Sequence, residues 1–139
     1  MGGNSGSSTN TIADFTFSTE LSDTLSATLN AAITMQVGVN SETKGYAMGG
    51  NTGVPVTSIE ELVFVNETSQ VISATLDVAS NQGGSTNNAT KGYSLCGDTS
   101  GSDDRIEELV FVDETSQYIG DAFRTRVGNV EGVQSGGYL

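Results

Sequence analysis

The sequence predicts an all-β fold made of units that repeat every 47 residues. Residues 43–70 return as residues 90–117, and 17 of the 28 aligned positions are identical. The apolar residues stand in short runs of strand length, and no window has the pattern of an amphipathic helix. A repeat of this length is typical of arrays in which no single unit buries its apolar face alone.

A weaker copy of the repeat lies upstream of these two. Its apolar residues fall 47 positions before their equivalents, so that Ile12, Phe15 and Phe17 precede Ile59, Leu62 and Phe64. We therefore expect a single domain over residues 1–139, with repeats at about 1–47, 48–94 and 95–139.

Each repeat divides into four short strands. In the best-defined copy, alternating apolar residues mark the first strand, and the other three cover residues 44–48, 58–65 and 70–76. The alternating residues are Ile33, Met35, Val37 and Val39. Four antiparallel strands in roughly 40 to 50 residues are typical of a propeller blade, whereas a solenoid coil usually takes about 20 to 30 residues. The pattern therefore predicts a β-propeller.

Two adjacent glutamates recur on the third strand of the repeat. They are Glu60 and Glu61 in one copy and Glu107 and Glu108 in the next. Because successive side chains of a strand point to opposite faces, the two carboxylates of a pair cannot act on one substrate. Their recurrence favours a structural or surface role.

The order of motifs within a repeat resembles the kelch repeat. A Gly-Tyr strand is followed by paired glycines, a variable loop, an apolar strand and a Glu-Thr turn. The matching residues are Gly45, Tyr46, Gly49 and Gly50 in one copy and Gly92, Tyr93 and Gly97 in the next. The position of a second kelch aromatic residue is held by Phe17, Phe64 and Phe111. The resemblance implies a propeller of four-stranded kelch-like blades.

The chain departs from the kelch pattern at two places. Cys96 replaces the first glycine of the pair in the third copy, where we expect a small buried residue. The hallmark tryptophan of the fourth strand is missing, and the residues near its position are Thr24, Val71 and Tyr118. Only Tyr118 keeps an aromatic ring there.

Lys-Gly-Tyr and Glu-Thr segments also make the chain similar to the regular kelch-like arrays of bacteriophage and cyanobacterial proteins. This resemblance implies a non-enzymatic structural protein of a virion, either a decoration protein or a protein associated with tail fibres. Its partners would be other virion or surface proteins. The alternative is a glycan-binding propeller, in which the recurring Tyr46, Tyr93 and Tyr138 stack on sugars instead of packing between blades.

The phase of the repeat at the two ends of the chain predicts an assembly. The chain is two residues short of three full repeats, and its last three residues align with residues 92–94. Three blades cannot close a ring of the usual four to eight, so we expect two copies to form a six-bladed, head-to-tail homodimer. The junction would lie at Met1, Gly2, Gly3, Gly137, Tyr138 and Leu139.

Composition excludes several classes of function. The chain has no His, no Trp and a single Cys, so most nucleophilic, metallohydrolase and redox sites are unavailable, and we expect no enzyme activity and no cofactor. The formal net charge of −12 disfavours binding to nucleic acid or anionic lipid. No signal peptide or membrane-spanning segment is visible, which predicts a virion or cytoplasmic location.

One acidic loop is a weak candidate for a metal site. Asp98, Asp103 and Asp104 follow the second strand of the third repeat, and calcium favours flexible loops of carboxylates. Their spacing matches no calcium-loop signature, and the equivalent loops of the other repeats lack these acids.

Overall fold

A computed structural model describes residues 1–4, 6–98 and 102–121, apart from the side chains of Cys96, Asp98, Ser102 and Asp103. The strands are β1 (Gly3–Asn4), β2 (Ser8–Thr9), β3 (Thr11–Thr16), β4 (Leu21–Thr28), β5 (Val37–Asn40), β6 (Lys44–Met48), β7 (Ser58–Val63), β8 (Thr68–Thr75), β9 (Gly84–Asn87), β10 (Lys91–Asp98), β11 (Ser102–Val110) and β12 (Thr115–Asp121). No helix occurs in these ranges, so none is available to span a membrane. The all-β prediction is confirmed.

Eight of the strands form two four-stranded antiparallel sheets. Strands β5, β6, β7 and β8 pair in sequence order and make the middle sheet, and β9 to β12 pair in the same way and make the last sheet. The N-terminal repeat contributes a hairpin of β3 and β4 and a small pair of β1 and β2. The division of a repeat into four strands is therefore confirmed for two of the three copies.

Paired glycines tie each second strand to the loop that leaves the fourth strand. The Gly50 amide donates to the Ser80 carbonyl at 2.8 Å, and 47 residues earlier the Gly3 amide donates to the Ile33 carbonyl at 3.0 Å. Gly49 has a φ of +63°, and a Cβ there would stand 2.5 Å from the Ser80 oxygen. Only glycine fits this conformation and this close approach.

Several strand boundaries differ from the predicted ones, and the fourth strand covers Thr68–Thr75 instead of residues 70–76. The first strand begins at Val37 because Met35 has a φ of +61°, which is not extended backbone. The third strand ends at Val63, and Val65 is 91% exposed in the following turn. The apolar residues 62–65 therefore do not form a single strand buried between two sheets.

The last sheet also departs from the repeat near Cys96. The second strand of the middle sheet stops before the paired glycines, whereas β10 continues through Gly97 to Asp98. Gly97 pairs with Asp103 after a register shift that follows Leu95. Replacement of one glycine by cysteine thus coincides with a longer hairpin.

A single apolar cluster joins the middle and last sheets. Its buried residues are Val37, Val39, Tyr46, Met48, Ile59, Ile72, Leu76, Leu109 and Phe111. A second cluster, made of Ile12, Leu29, Ile33 and Leu62, joins the N-terminal hairpin to the middle sheet. Each sheet therefore completes its core only against its neighbour.

We expect Leu109→Ala to lower the free energy of unfolding by about 2–5 kcal/mol, because Leu109 is fully buried in the shared cluster and its loss leaves a cavity. Val112→Ala is the matched control, since Val112 is 91% exposed. Urea denaturation followed by circular dichroism measures both variants. Equal effects of the two substitutions would contradict the shared core.

Candidate functional site

A lysine of the middle sheet binds two carboxylates from different sheets. Lys44 begins β6, and its Nζ lies 2.8 Å from Glu61 Oε2 on the neighbouring strand β7. The same Nζ contacts the carboxylate of Glu114, which lies in the turn between β11 and β12 of the last sheet. The carboxylates of Glu114 and Glu61 beside Nζ hold the pKa of Lys44 above its usual range. Lys44 therefore connects the two sheets.

The Glu61 carboxylate is almost completely buried and is held on both sides. Gln70 of β8 donates from Nε2 to Oε1 at 2.5 Å. Oε2 receives no well-directed hydrogen bond from the described residues, so its contact with Lys44 acts mainly as an ion pair. Burial alone would raise the pKa of Glu61, but the contacts with Lys44 and Gln70 outweigh burial and lower it.

Tyr46 fills the space between the two sheets beside this ion pair. Its side chain is 1% exposed, and its ring lies parallel to that of Phe111 with centroids 5.4 Å apart. The hydroxyl donates to Glu114 Oε1 at 3.3 Å. Burial, together with the charge of Glu114, raises the pKa of Tyr46 to about 12. A ring this deeply buried offers no face to a sugar.

The other glutamate of each pair reaches back toward the preceding repeat. Glu60 Oε2 accepts the Asn30 backbone N–H at 2.7 Å. The Glu107 carboxylate accepts the Asp77 backbone N–H at 3.1 and 3.2 Å. Burial raises the pKa of Glu107 despite this hydrogen bond. The adjacent glutamates make contacts in opposite directions, and all four are buried.

Hydrogen bonds between equivalent residues join the two sheets along their first strands. Ser85 Oγ donates to the Gly38 carbonyl at 2.7 Å, and Asn87 Nδ2 donates to the Asn40 carbonyl at 2.9 Å. Donor and acceptor are separated by 47 residues in both cases. Neighbouring repeats are therefore stacked in phase.

The last sheet carries the same set of groups on its far side. Lys91 Nζ lies 3.0 Å from Glu108 Oε2, and Gln117 Nε2 donates to Glu108 Oε1 at 3.1 Å. The hydrogen bond from Lys91 lowers the pKa of Glu108, and this bond raises the pKa of Lys91. Tyr93, the equivalent of Tyr46, is only half-buried.

A cavity of about 350 Å³ lies between the N-terminal hairpin and the middle sheet. It is lined by Ala13, Asp14, Leu25, Leu62, Phe64 and Glu67. Their equivalents 47 residues later are Glu60, Glu61, Ile72, Leu109, Phe111 and Glu114, which include the groups that surround Tyr46. The cavity thus corresponds to the Tyr46 position, without a tyrosine from the described residues.

Three phenylalanines at one position of the repeat differ in their exposed fraction. Phe111 is 8% exposed beneath Tyr46, Phe64 is 45% exposed beside the cavity, and Phe17 is 87% exposed on the hairpin. These rings have the same place in the repeat but different surroundings. The hairpin therefore presents a face that is covered at Phe111 in the last sheet and only partly covered at Phe64 in the middle sheet.

The predicted site residues fall into several groups. The described motif residues Gly45, Tyr46, Gly49, Gly50, Gly92, Tyr93 and Gly97 lie on or directly after the second strands. The predicted acidic loop is wrong, because Asp98 ends β10 and Asp103 and Asp104 lie on the paired strand β11. The side chains of Asp98 and Asp103 lie outside the described residues, and Asp104 is half-buried with an interaction partner. Within the described ranges, no three metal-ligating residues come together.

The predicted junction residues are only partly described. Gly2 and Gly3 donate backbone hydrogen bonds to Thr11 and Ile33, and the Met1 carbonyl accepts one from Gln36. These contacts hold the first residues against the N-terminal repeat. The remaining junction residues, Gly137, Tyr138 and Leu139, lie outside the described residues.

The sequence reasoning did not identify the lysines and glutamines that contact the buried glutamates. Lys44 and Lys91 occupy one position of the repeat, and Gln70 and Gln117 occupy another. The same residue types recur in both copies, on strands next to the glutamate pairs. This recurrence was the signal in the sequence for a shared polar contact.

These features define the class of the molecule as an all-β repeat protein whose antiparallel sheets are joined by buried carboxylates. No protein-family model and no curated protein sequence matches the chain. Solved structures do match, among them the structure of YjhT, with a TM-score of 0.72, 12% identity and coverage of 91% of this chain. The chain spans 49% of the YjhT chain, about half its length. This similarity establishes the fold alone.

We expect Glu61→Gln to destabilise the protein at pH 7 by about 1–3 kcal/mol, because a buried partner of Lys44 is lost. The folded-state pKa of Glu61 is lowered, so the stabilisation is present above the ordinary value of 4.5 and is lost as the pH falls below it. The lowered pKa of Glu108 also reduces the stability of the fold as the pH falls. The raised pKa of Glu107 has the opposite effect on stability.

Thermal unfolding between pH 3 and pH 7 measures this difference. The melting temperature of the wild type should fall more steeply below about pH 4.5 than that of Glu61→Gln. Glu42→Gln makes the same chemical change at an exposed turn and should follow the wild type. Identical acid profiles of all three proteins would refute the role assigned to Glu61.

Proposed function

We propose that the protein is a non-enzymatic structural and interaction module, a kelch-like β-propeller in which two copies assemble head to tail into a six-bladed ring. The observation that carries this proposal is the cavity between the hairpin and the middle sheet. Its walls repeat the surroundings of Tyr46, and a Gly-Tyr strand from another copy would complete them.

The unpaired edge of the hairpin supports the proposal. Strand β7 pairs with both β6 and β8, whereas its equivalent β3 pairs only with β4 among the described residues. A free strand edge is a template for pairing with another chain. The segment 137–139 repeats the Gly-Tyr sequence of β6 and is therefore the candidate to occupy that edge.

The stacking of the repeats supports a head-to-tail direction for the proposed assembly. The middle sheet contacts the hairpin on one side and the last sheet on the other, through contacts of the same kind. A second copy that continues this order would place its hairpin against the last sheet of the first copy.

The biological setting of the assembly rests on the resemblance to bacteriophage arrays. We propose a virion decoration or tail-fibre-associated protein on that basis. Glycan binding is less well supported, because Tyr46, one of its three tyrosines, is buried between two sheets. The equilibrium of self-association is the property that tests the proposed assembly.

We expect the wild-type protein to sediment with twice its monomer mass of 14.3 kDa. Tyr138→Ala should weaken self-association by at least about tenfold, because a buried aromatic ring is lost from the junction. Tyr118→Ala serves as the control, since Tyr118 lies 44% exposed on β12. Sedimentation velocity over a concentration series measures all three proteins.

Circular dichroism of each variant establishes that it is folded. A wild type that stays monomeric at every concentration would overturn the proposed ring. A dimer that tolerates Tyr138→Ala as well as Tyr118→Ala would instead remove the 137–139 segment from the junction.

A further inference from the structure

We propose that a second copy of the chain docks its hairpin turn on the last sheet, with Glu20 paired to Lys91 and Phe17 packed on Tyr93. This inference rests on the proposed assembly and names the residues that make its contact. It concerns the far side of the last sheet and the exposed side of the hairpin, both of which belong to the described chain.

The proposed contact has the same geometry as the junction between the middle and last sheets of one chain. There the turn of the last sheet brings Glu114 to Lys44 and to the Tyr46 hydroxyl, while Phe111 stacks on the Tyr46 ring. All four groups belong to positions that repeat every 47 residues. A further junction of the same geometry needs a Lys-Gly-Tyr strand on one side and a Phe-containing acidic turn on the other.

The last sheet supplies the first half of that contact. Lys91 is oriented by Glu108, yet its side chain keeps 39% of its surface exposed. Among the described residues, no acid from a following turn reaches Lys91, although Glu114 reaches its equivalent Lys44. Tyr93 is half-buried, whereas Tyr46 is 1% exposed.

The hairpin supplies the second half. Glu20, Glu67 and Glu114 have φ values of 57°, 53° and 52°, so the three turns present their carboxylates with the same backbone geometry. Glu20 is exposed and makes no ion pair with the described residues. Phe17 is 87% exposed and is supported from one side by Phe15, in an edge-to-face contact at 5.3 Å.

Charge complementarity favours a second copy as the occupant. With a net charge of −12, two chains repel one another at long range, so their contact needs a local cation at the interface. Lys91 is one of only five cationic residues, and it lies on the face that the next repeat would cover. The exposed phenylalanine and tyrosine add an apolar contact of the kind that stacks in the internal junction.

A double-mutant cycle on the dimer dissociation constant tests the ion pair. Glu20→Gln should raise the dissociation constant by about 5- to 30-fold, because a closed ring of two copies contains the contact twice. In a Lys91→Gln background the same substitution should change it less than about twofold, because its partner is already gone. Glu42→Gln, at an exposed turn of the middle sheet, is the matched control and should have no effect.

A pair of apolar variants tests the aromatic contact. Phe17→Ala should raise the dissociation constant at least about tenfold. Val65→Ala should leave it unchanged, although Val65 is 91% exposed and so resembles Phe17 in the free chain. The melting temperature of the dilute monomer should change little in either variant, since Phe17 is 87% exposed and Val65 is 91% exposed in the described chain.

The outcomes separate this inference from the proposed function. A wild type that does not self-associate overturns both. A wild type that dimerises, with a Glu20→Gln effect that is absent or is unchanged in the Lys91→Gln background, overturns the ion pair and leaves the ring in place. A dimer equally insensitive to Phe17→Ala and Val65→Ala overturns the aromatic contact.

Discussion

The burial of two adjacent carboxylates on one strand is the constraint on which the rest of the structure depends. Glu60 and Glu61 are 5% and 2% exposed, and a buried charge is costly unless it is paired. Because neighbouring side chains of a strand point to opposite faces, one partner must come from each side of the sheet. The backbone of Asn30 and the ammonium of Lys44 are those partners. Glu60 therefore ties the middle sheet to the segment that follows the hairpin, and Glu61 holds the lysine that also contacts Glu114 of the last sheet.

Repetition of this constraint sets the architecture. The last sheet carries the same buried pair, and its backward-facing Glu107 binds the backbone that leaves the middle sheet. Its forward-facing Glu108 holds Lys91 beside a half-buried Tyr93, as Glu61 holds Lys44 beside Tyr46. A stack built in this way is complete only when each face meets another repeat. The proposed self-association would supply such a repeat at each end of the stack.

Strands with strong local signals could be predicted from the sequence, whereas the polar junction could not. Strand β6 has its predicted bounds, since Gly49, which ends it, adopts a positive φ. The first strand was predicted to begin too early because a positive φ at Met35 has no signature in that residue type. Burial of Glu61 was not predicted, because glutamate is rarely fully buried without a partner, and its partner Lys44 lies on another strand.

The central claim is that a strand from a second copy completes the hairpin. Hydrogen exchange at the edge of β3 that faces away from β4 tests this claim most directly. In strand Thr11–Thr16, some backbone amides point away from β4. We expect these amides to exchange rapidly in dilute protein and to become protected as the concentration rises. Amides of Ser58–Val63, which already pair on both sides, should be protected throughout. Exchange of the β3 edge at one rapid rate in both monomer and dimer would contradict the completion of the hairpin by a strand from a second copy.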